Sequence, residues 1–203
     1  QRSEARLQAT DTVTATLPEP VLSAEAVQQT AAWVAAHQRE DGAIPWFHGR
    51  RMDPWDHIHS AMGLAVPEAR RAFEFLRDSQ ESDGGWPASS NAAGLIDATH
   101  ETNHAAYLAT GLWHYYLAAD DAAFLDAMWP TLERALDFVM RMRAADGTIH
   151  WAVDPSGSVW RAPLITGCAA AIMRICPCGA MKRRPLRPQV LAQWKTGRCS
   201  SRR

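Results

Sequence analysis

The sequence predicts an all-α protein of helical hairpins, an α/α toroid with about three of six hairpins present. Three observations carry this reading. Apolar residues recur at helical spacing through five stretches, and no stretch shows the period-two alternation of an exposed sheet. An Asp-Gly bend follows a helical stretch three times, at Asp41-Gly42, Asp83-Gly84 and Asp146-Gly147. The bends also share a register. Gln38 to Trp46, Gln80 to Trp86 and Arg143 to Trp151 align on them, and each copy follows an aromatic residue, Trp33, Phe75 or Phe138. The copies begin 42 and then 63 residues apart, the self-similarity of stacked units that cannot bury their apolar faces alone. In each bend Asp bonds the turn, Gly supplies a positive φ, and Trp plugs onto the next unit.

The elements follow in order. Ser23 caps a helix running to about Gln38, with Val27, Ala31, Val34 and Ala35 on one face. Asp53, Pro54 and Asp56 announce a second helix to about Val66, because an acid at the cap, a proline in the first turn and an acid beyond it all suit a helix N-terminus. Pro67 starts a third, whose stripe is Ala69, Ala72, Phe73 and Leu76. A fourth runs from Asp97 to Ala119, capped by Asp97 or Thr99, and places Asp97, Glu101, His104, Tyr107 and Gly111 along one stripe. The fifth begins at Asp120 or Asp121, and Pro130 breaks or restarts it before Arg143.

Composition divides the chain. Residues 1–168 hold 12 arginines against all 22 acids, whereas the remainder holds nine Lys and Arg, and all four cysteines lie at or after position 168, so a net charge of −1 hides two opposite parts. Domain boundaries follow: an N-terminal arm over 1–20, a partial toroid over 21–167 and an aberrant basic tail over 168–203. The tail loses helical periodicity, acids and turn logic together; a shifted reading frame accounts for that break better than a nucleic-acid-binding arm or a cysteine metal site. No apolar signal core opens the sequence and no run is long enough to span a membrane, so the expected location is cytoplasmic, with no nucleic-acid partner. At ~42 residues per unit a closed ring needs ~250 residues. The shorter chain is therefore expected to be an open half-torus that self-associates through exposed apolar edges.

The chemistry concentrates between Asp97 and Ala119. His100-Glu101-Thr102-Asn103-His104 matches H-E-x-x-H, which on a helix sets two zinc-ligand histidines one turn apart with a glutamate base between them. The competing reading is an ordinary helix N-terminus carrying acids at the positive end of the dipole. A zinc peptidase through His100 and His104 is thus one alternative, and no other metal set is evident; no cofactor is required, with zinc or magnesium as the options.

The Q-x-x-x-G-x-W of Gln80 to Trp86 matches the end of the repeat found in squalene and oxidosqualene cyclases. With GAIPWFHGRRMDPWDH, Glu101-Thr-Asn103, GLWHYYLAADDAAFLDAMWP and the LITG ending at Gly167, the stretch from Val21 to Gly167 resembles a bacterial prenyltransferase-like family of the terpenoid cyclase superfamily. That resemblance implies inner and outer rings of helices around a cavity and an isoprenoid or similar apolar substrate. The D-x-D-D protonation motif of the cyclases and the zinc ligands of protein prenyltransferases have no counterpart here. Trp113-His-Tyr-Tyr and Asp121-x-x-Phe124-Leu125-x-x-x-Trp129-Pro130 are equally similar to α/α-toroid glycosidases, which implies a carbohydrate substrate and a carboxylate pair as acid and base. A truncated, non-catalytic remnant is the remaining alternative.

Because the bends share a register, the helices after them start at one end, where their first turns converge. Candidate catalytic residues are Asp56, Asp97 and Glu101; candidate substrate-binding residues are Trp46, Trp55, His57, Asn103, Trp113 and Trp151. Carboxylates facing each other across a cavity suit general acid and base work, and aromatic walls suit a sugar ring or an isoprenoid cation. Arg161 and Thr166 are placed where the next helix would begin.

Overall fold

The computed structural model describes residues 23–47 and 50–160. The arm over 1–20, the tail over 168–203, Arg161 and Thr166 lie outside the described residues. Five helices form, α1 (Ala24–His37), α2 (Pro54–Met62), α3 (Val66–Ser79), α4 (Thr102–Ala119) and α5 (Ala122–Arg141). Three of their N-termini have a side-chain cap: Ser23 Oγ accepts from Ala26 N at 3.1 Å, Asp53 Oδ1 from Asp56 N at 2.9 Å and Asp121 Oδ1 from Phe124 N at 2.9 Å. Each bond satisfies one of the orphan donors that every helix start exposes.

The repeated bend governs how the helices stack. After α1 and α3 the chain turns out of helix at Gln38 and Gln80, whose backbones are nearly superimposable, φ −63°, ψ 130° and φ −65°, ψ 129°. Gln38 Nε2 donates to its own Gly42 carbonyl and to the Glu68 carbonyl of α3, both at 3.0 Å. Gln80 does the same to Gly84 at 3.0 Å and to Thr131 of α5 at 2.9 Å. Glu68 and Thr131 stand 63 residues apart, the spacing of the second and third sequence copies, so the repeat is physical. It sets α1 against α3 and α3 against α5 by the same pair of bonds.

The glycines in the bends have no substitute. Gly42 and Gly84 adopt φ of 95° and 91°, and a Cβ added to them would lie 2.3 Å from the Arg71 carbonyl oxygen and 2.2 Å from that of Arg134. Arg71 and Arg134 are again one repeat apart. Behind the bends, α2 and α4 lie side by side, and Gly111 lets α4 close on both Ile58 and Phe73, where a Cβ would come within 2.6 and 2.9 Å of their side chains. Phe73, Leu76, Leu108, Leu112, Phe124 and Met128 fill the resulting core, each 1% exposed or less.

The fold is mostly helical but not all-α. A four-stranded antiparallel meander, β1 (Pro87–Asn91), β2 (Gly94–Glu101), β3 (Ala152–Val153) and β4 (Val159–Trp160), joins the segments that follow the second and third bends. A bridge from Met52 to Ser90 adds the segment after the first bend. Alternation is missing from these strands because β3 and β4 are two residues long and the first four residues of β2, Leu95 and Ile96 among them, are all exposed. Cross-strand backbone bonds between distant bends hold them, rather than a buried face. The hairpin turn is local, with Asn91 Oδ1 accepting from the amides of Ala93 and Gly94 at 2.8 and 3.1 Å.

Three further expectations are corrected. The fourth helix starts at Thr102, not Asp97, because residues 94–101 are taken by strand pairing; Asp97 and Thr99 therefore do not cap it. Pro130 neither breaks nor restarts α5, which runs through it. It is exposed on the solvent side of the helix, where a missing backbone N–H disturbs packing least. The predicted apolar stripe of α1 is not buried: no residue of α1 is, and Val27 and Trp33 are 53% and 55% exposed.

Substituting alanine at Gly84 and at Gly157 separates clash from backbone strain. Both have positive φ, yet nothing lies within 4 Å of a Cβ at Gly157. Gly84→Ala is expected to cost at least ~2 kcal/mol more than Gly157→Ala in chemical denaturation, the range of overpacking against an unyielding group. Equal losses would show that the bend does not press on α5.

Candidate active site

The bend after α1 leads into residues 43–53, where the Trp46 amide donates to the Arg51 carbonyl at 2.9 Å. This folds the indole back over the start of α2, so that Trp46 Nε1 donates to Asp53 Oδ2 at 2.6 Å. The Arg51 guanidinium lies 5.0 Å from the centre of the same indole. Asp53 thus caps α2 with one oxygen and holds Trp46 with the other. Asp56, one turn on, faces a cleft of about 280 Å³ with Trp33, Trp46 and His59 on its walls.

Glu101 ends β2 and occupies the N-cap position of α4, but makes no side-chain cap bond. Instead Glu101 Oε2 accepts from Trp151 Nε1 at 3.0 Å, and that indole N–H is shared with Asn103 Oδ1 at 3.1 Å. Trp46 follows Gly42 by the interval at which Trp151 follows Gly147. An indole N–H from a bend therefore holds an acid at the mouth of each of the paired helices. Between the two acids sits His104, whose Nε2 is 3.5 Å from Glu101 Oε2 and 4.0 Å from Asp53 Oδ1.

Burial and charge shape these groups. Loss of hydration, then the neighbouring charge of Asp53, pushes the Asp56 carboxyl above the usual carboxylate range. Burial lowers the pKa of His104 against the pull of Glu101, Asp53 and Asp56. Each environment shifts its group toward the uncharged form.

Asp56, Glu101, Asn103, Trp46 and Trp151 thus assemble around Asp53 and His104. Trp55 adjoins them, stacked on Tyr107 of α4 with ring centres 4.3 Å apart and planes at 13°, and Tyr107 is hydrogen-bonded to His59. Asp97 stands apart. It lies in a strand, four residues and therefore ~13 Å before Glu101, and its carboxylate accepts from the Thr99 amide at 3.0 Å, which lowers its pKa. Trp113 is ~16 Å along α4 from Thr102 at 1.5 Å per residue and stacks on Tyr116.

His57 is not a substrate residue. It is fully buried, with Nδ1 accepting from the Ile44 amide at 3.0 Å and Nε2 donating to the Ala72 carbonyl at 2.9 Å. A backbone amide can only donate and a carbonyl only accept, so the ring is fixed as the neutral Nε2–H tautomer that ties the first bend to α3. The zinc reading of His100 and His104 fails on secondary structure. His100 lies in a strand, where Asp83 and Glu81 hold its two nitrogens at 2.8 and 3.3 Å, while His104 lies in a helix beside Glu101. Among the described residues no group of three His, Cys, Asp or Glu is arranged to hold a metal.

Asp53 and His104 are the central groups that the sequence reading left out of its catalytic and substrate-binding candidates, favouring a helix cap for the first and naming zinc for the second. The available signal was their placement one turn either side of residues already chosen, Asp56 and Glu101.

Helical hairpins with paired starts define an α/α-toroid-like fold, and solved structures agree. The chain superposes on cellobiose 2-epimerase from Bacillus thermoamylovorans B4167 with a TM-score of 0.51 at 14% identity, over 75% of this chain and 48% of that one. The enzyme of the same name from Spirochaeta thermophila DSM 6192 gives 0.50 at 17% identity, over 74% and 45%. In sequence, 154 residues are 43% identical to the MMP endo-(1,4)-3-O-methyl-alpha-D-mannosidase of Mycolicibacterium hassiacum, covering 74% of this chain and 43% of that protein. The chain thus spans less than half the length of the curated relative it matches. No family model matches the sequence. These findings overturn the resemblance to prenyltransferase-like proteins and terpenoid cyclases, and with it the isoprenoid substrate and the transferase activity. Bend geometry is common to several toroids, so the Gln-to-Trp motif tracked fold and not chemistry. No helix among the described residues is long and apolar enough to cross a membrane.

The buried His57 makes stability depend on pH. The unfolded chain takes up this proton near 6.5, and burial lowers the folded pKa to about 4. The contribution is therefore flat above pH 6.5, destabilising as pH falls through the interval, and constant below 4, amounting to about 3 kcal/mol for a gap of that size. His57→Gln is expected to be less stable at pH 7.5 but to lose about that much less on acidification, as measured by urea denaturation at each pH.

Proposed function

We propose that this chain carries a carbohydrate-processing site at the paired starts of α2 and α4, and that its reaction is hydrolysis of an α-1,4-linked, 3-O-methylated mannose oligosaccharide. The observation that carries the reading is the Asp53, Asp56, His104 and Glu101 cluster, framed by two anchored indoles, in a chain 43% identical over 154 residues to a mannosidase of that specificity. Four polar side chains at the mouth of the helices suit a hydroxylated substrate and would penalise an isoprenoid.

Asp56 is the proton donor. Its raised pKa, set by partial desolvation and by Asp53, keeps a proton available for the glycosidic oxygen as the bond breaks. Glu101, held by Trp151, is the partner carboxylate that activates water or stabilises the sugar cation. Trp46 and Trp33 offer indole faces for the C–H surface of a sugar ring in the cleft beside Asp56, and Asn103 offers a hydrogen bond to a hydroxyl. Asp97, Trp113 and His57 have no place in this scheme.

Mass spectrometry of oligosaccharide products tests the reaction. Cleavage by the wild-type chain, with a loss of ~10²-fold or more in Asp56→Asn and in Glu101→Gln, is the expected outcome for a general acid and its partner. Unchanged chain length with inversion at C2 of the reducing sugar would replace hydrolysis by epimerisation. Absence of binding, followed by tryptophan fluorescence, would remove the carbohydrate reading altogether.

A further inference from the structure

His104 holds the one nitrogen in this cluster that has no partner. Its side chain is 7% exposed, and Nδ1 is enclosed with no hydrogen-bond partner, whereas Nε2 faces Glu101 and Asp53. We propose that His104 is a positioning residue: it presents an uncharged Nε2–H beside Glu101, on the side facing Asp53, and so holds the Glu101 carboxylate in one arrangement for substrate. This inference rests on the proposed site.

Two arguments place the proton. A bare nitrogen lone pair turned toward two carboxylates would be repelled by both, so Nε2 carries a hydrogen. A second hydrogen on Nδ1 would then be an N–H buried without an acceptor, a costlier defect than an unused lone pair. The charges facing the ring compete: Glu101 at the start of α4, with Asp53 and Asp56 from α2, favour the imidazolium, while Arg51 from the preceding segment and burial oppose it. The enclosed Nδ1 tips the balance, because the imidazolium would gain attraction on one edge and lose hydration on the other.

The positioning follows from shared partners. Glu101 Oε2 already accepts from Trp151, and Asp53 Oδ2 from Trp46. Asp53 is already held at both oxygens, by Trp46 and by the Asp56 amide, whereas Glu101 has only its indole bond, and a donor 3.5 Å from Oε2 opposes rotation of the Glu101 carboxylate about it. His57, also neutral on Nε2–H but partnered at both nitrogens, is the internal reference for the tautomer.

Long-range proton–nitrogen correlation spectra of the histidine-labelled chain, recorded from pH 8 to pH 5 without ligand, test the proton's place. The expected result is one protonated and one bare nitrogen for His104, with the proton on Nε2 throughout, as for His57. A proton on Nδ1, or two protonated nitrogens at pH 6 or above, overturns the proposal. The indole N–H signal of Trp151 tests positioning: it should keep its place in His104→Gln, which retains a donor, and shift in His104→Leu. An unmoved signal in a folded His104→Leu chain also overturns it. A chain with the expected spectra that binds no 3-O-methylmannose oligosaccharide would refute the carbohydrate reading and leave the role of His104 standing.

Discussion

The structure depends on a contact between a glycine and a backbone carbonyl. Where Gly84 meets Arg134, and Gly42 meets Arg71, no side chain fits, and the preceding glutamine spans from its own bend to the neighbouring helix. Two rigid groups in contact leave little freedom in how far or at what angle the helices lie. Repeating that contact, across 29 residues and then across 50, gives both pairs of helices the same close approach. The starts of α2 and α4 come to one place because nothing in the bend lets them differ.

Function-bearing groups gather there for electrostatic reasons. Helix starts supply unpaired N–H groups and a partial positive charge, which tolerate several acids in a small volume. Asp53 uses this directly as a cap, and Glu101 takes the corresponding position without the cap bond, spending its acceptor on Trp151 instead. The crowding then differentiates the acids. Asp56 is raised by burial and then by its neighbour Asp53, whereas Asp97, in a strand and bonded to Thr99, is lowered. Chemically identical side chains acquire different proton affinities from secondary structure and distance alone.

Three of the described histidines near this end show the same separation. His57 has a backbone donor and a backbone acceptor, His100 has two carboxylates, and His104 has carboxylates on one edge and nothing on the other. The first staples a loop, the second ties β2 to the second bend, and the third belongs to the cluster. In sequence they are indistinguishable members of short polar motifs. The H-E-x-x-H pattern misled because its ligand geometry presumes a helix through all five residues, and the strand ends inside it.

The sequence by itself determined the local structure that short-range chemistry controls: caps at Ser23, Asp53 and Asp121, proline in the first turns of α2 and α3, and the glycine bends with their common register. These need only neighbours within a few residues. Asp56, Glu101, Trp46, Asn103 and Trp151 were legible as a convergent set because they follow from that register. Tertiary structure alone decided the sheet, the start of α4 and the sorting of the histidines. Strand pairing joins residues as far apart as Glu101 and Ala152, and short, half-solvated strands carry no pattern of their own. Burial and the count of partners at each ring nitrogen exist only once the helices have packed.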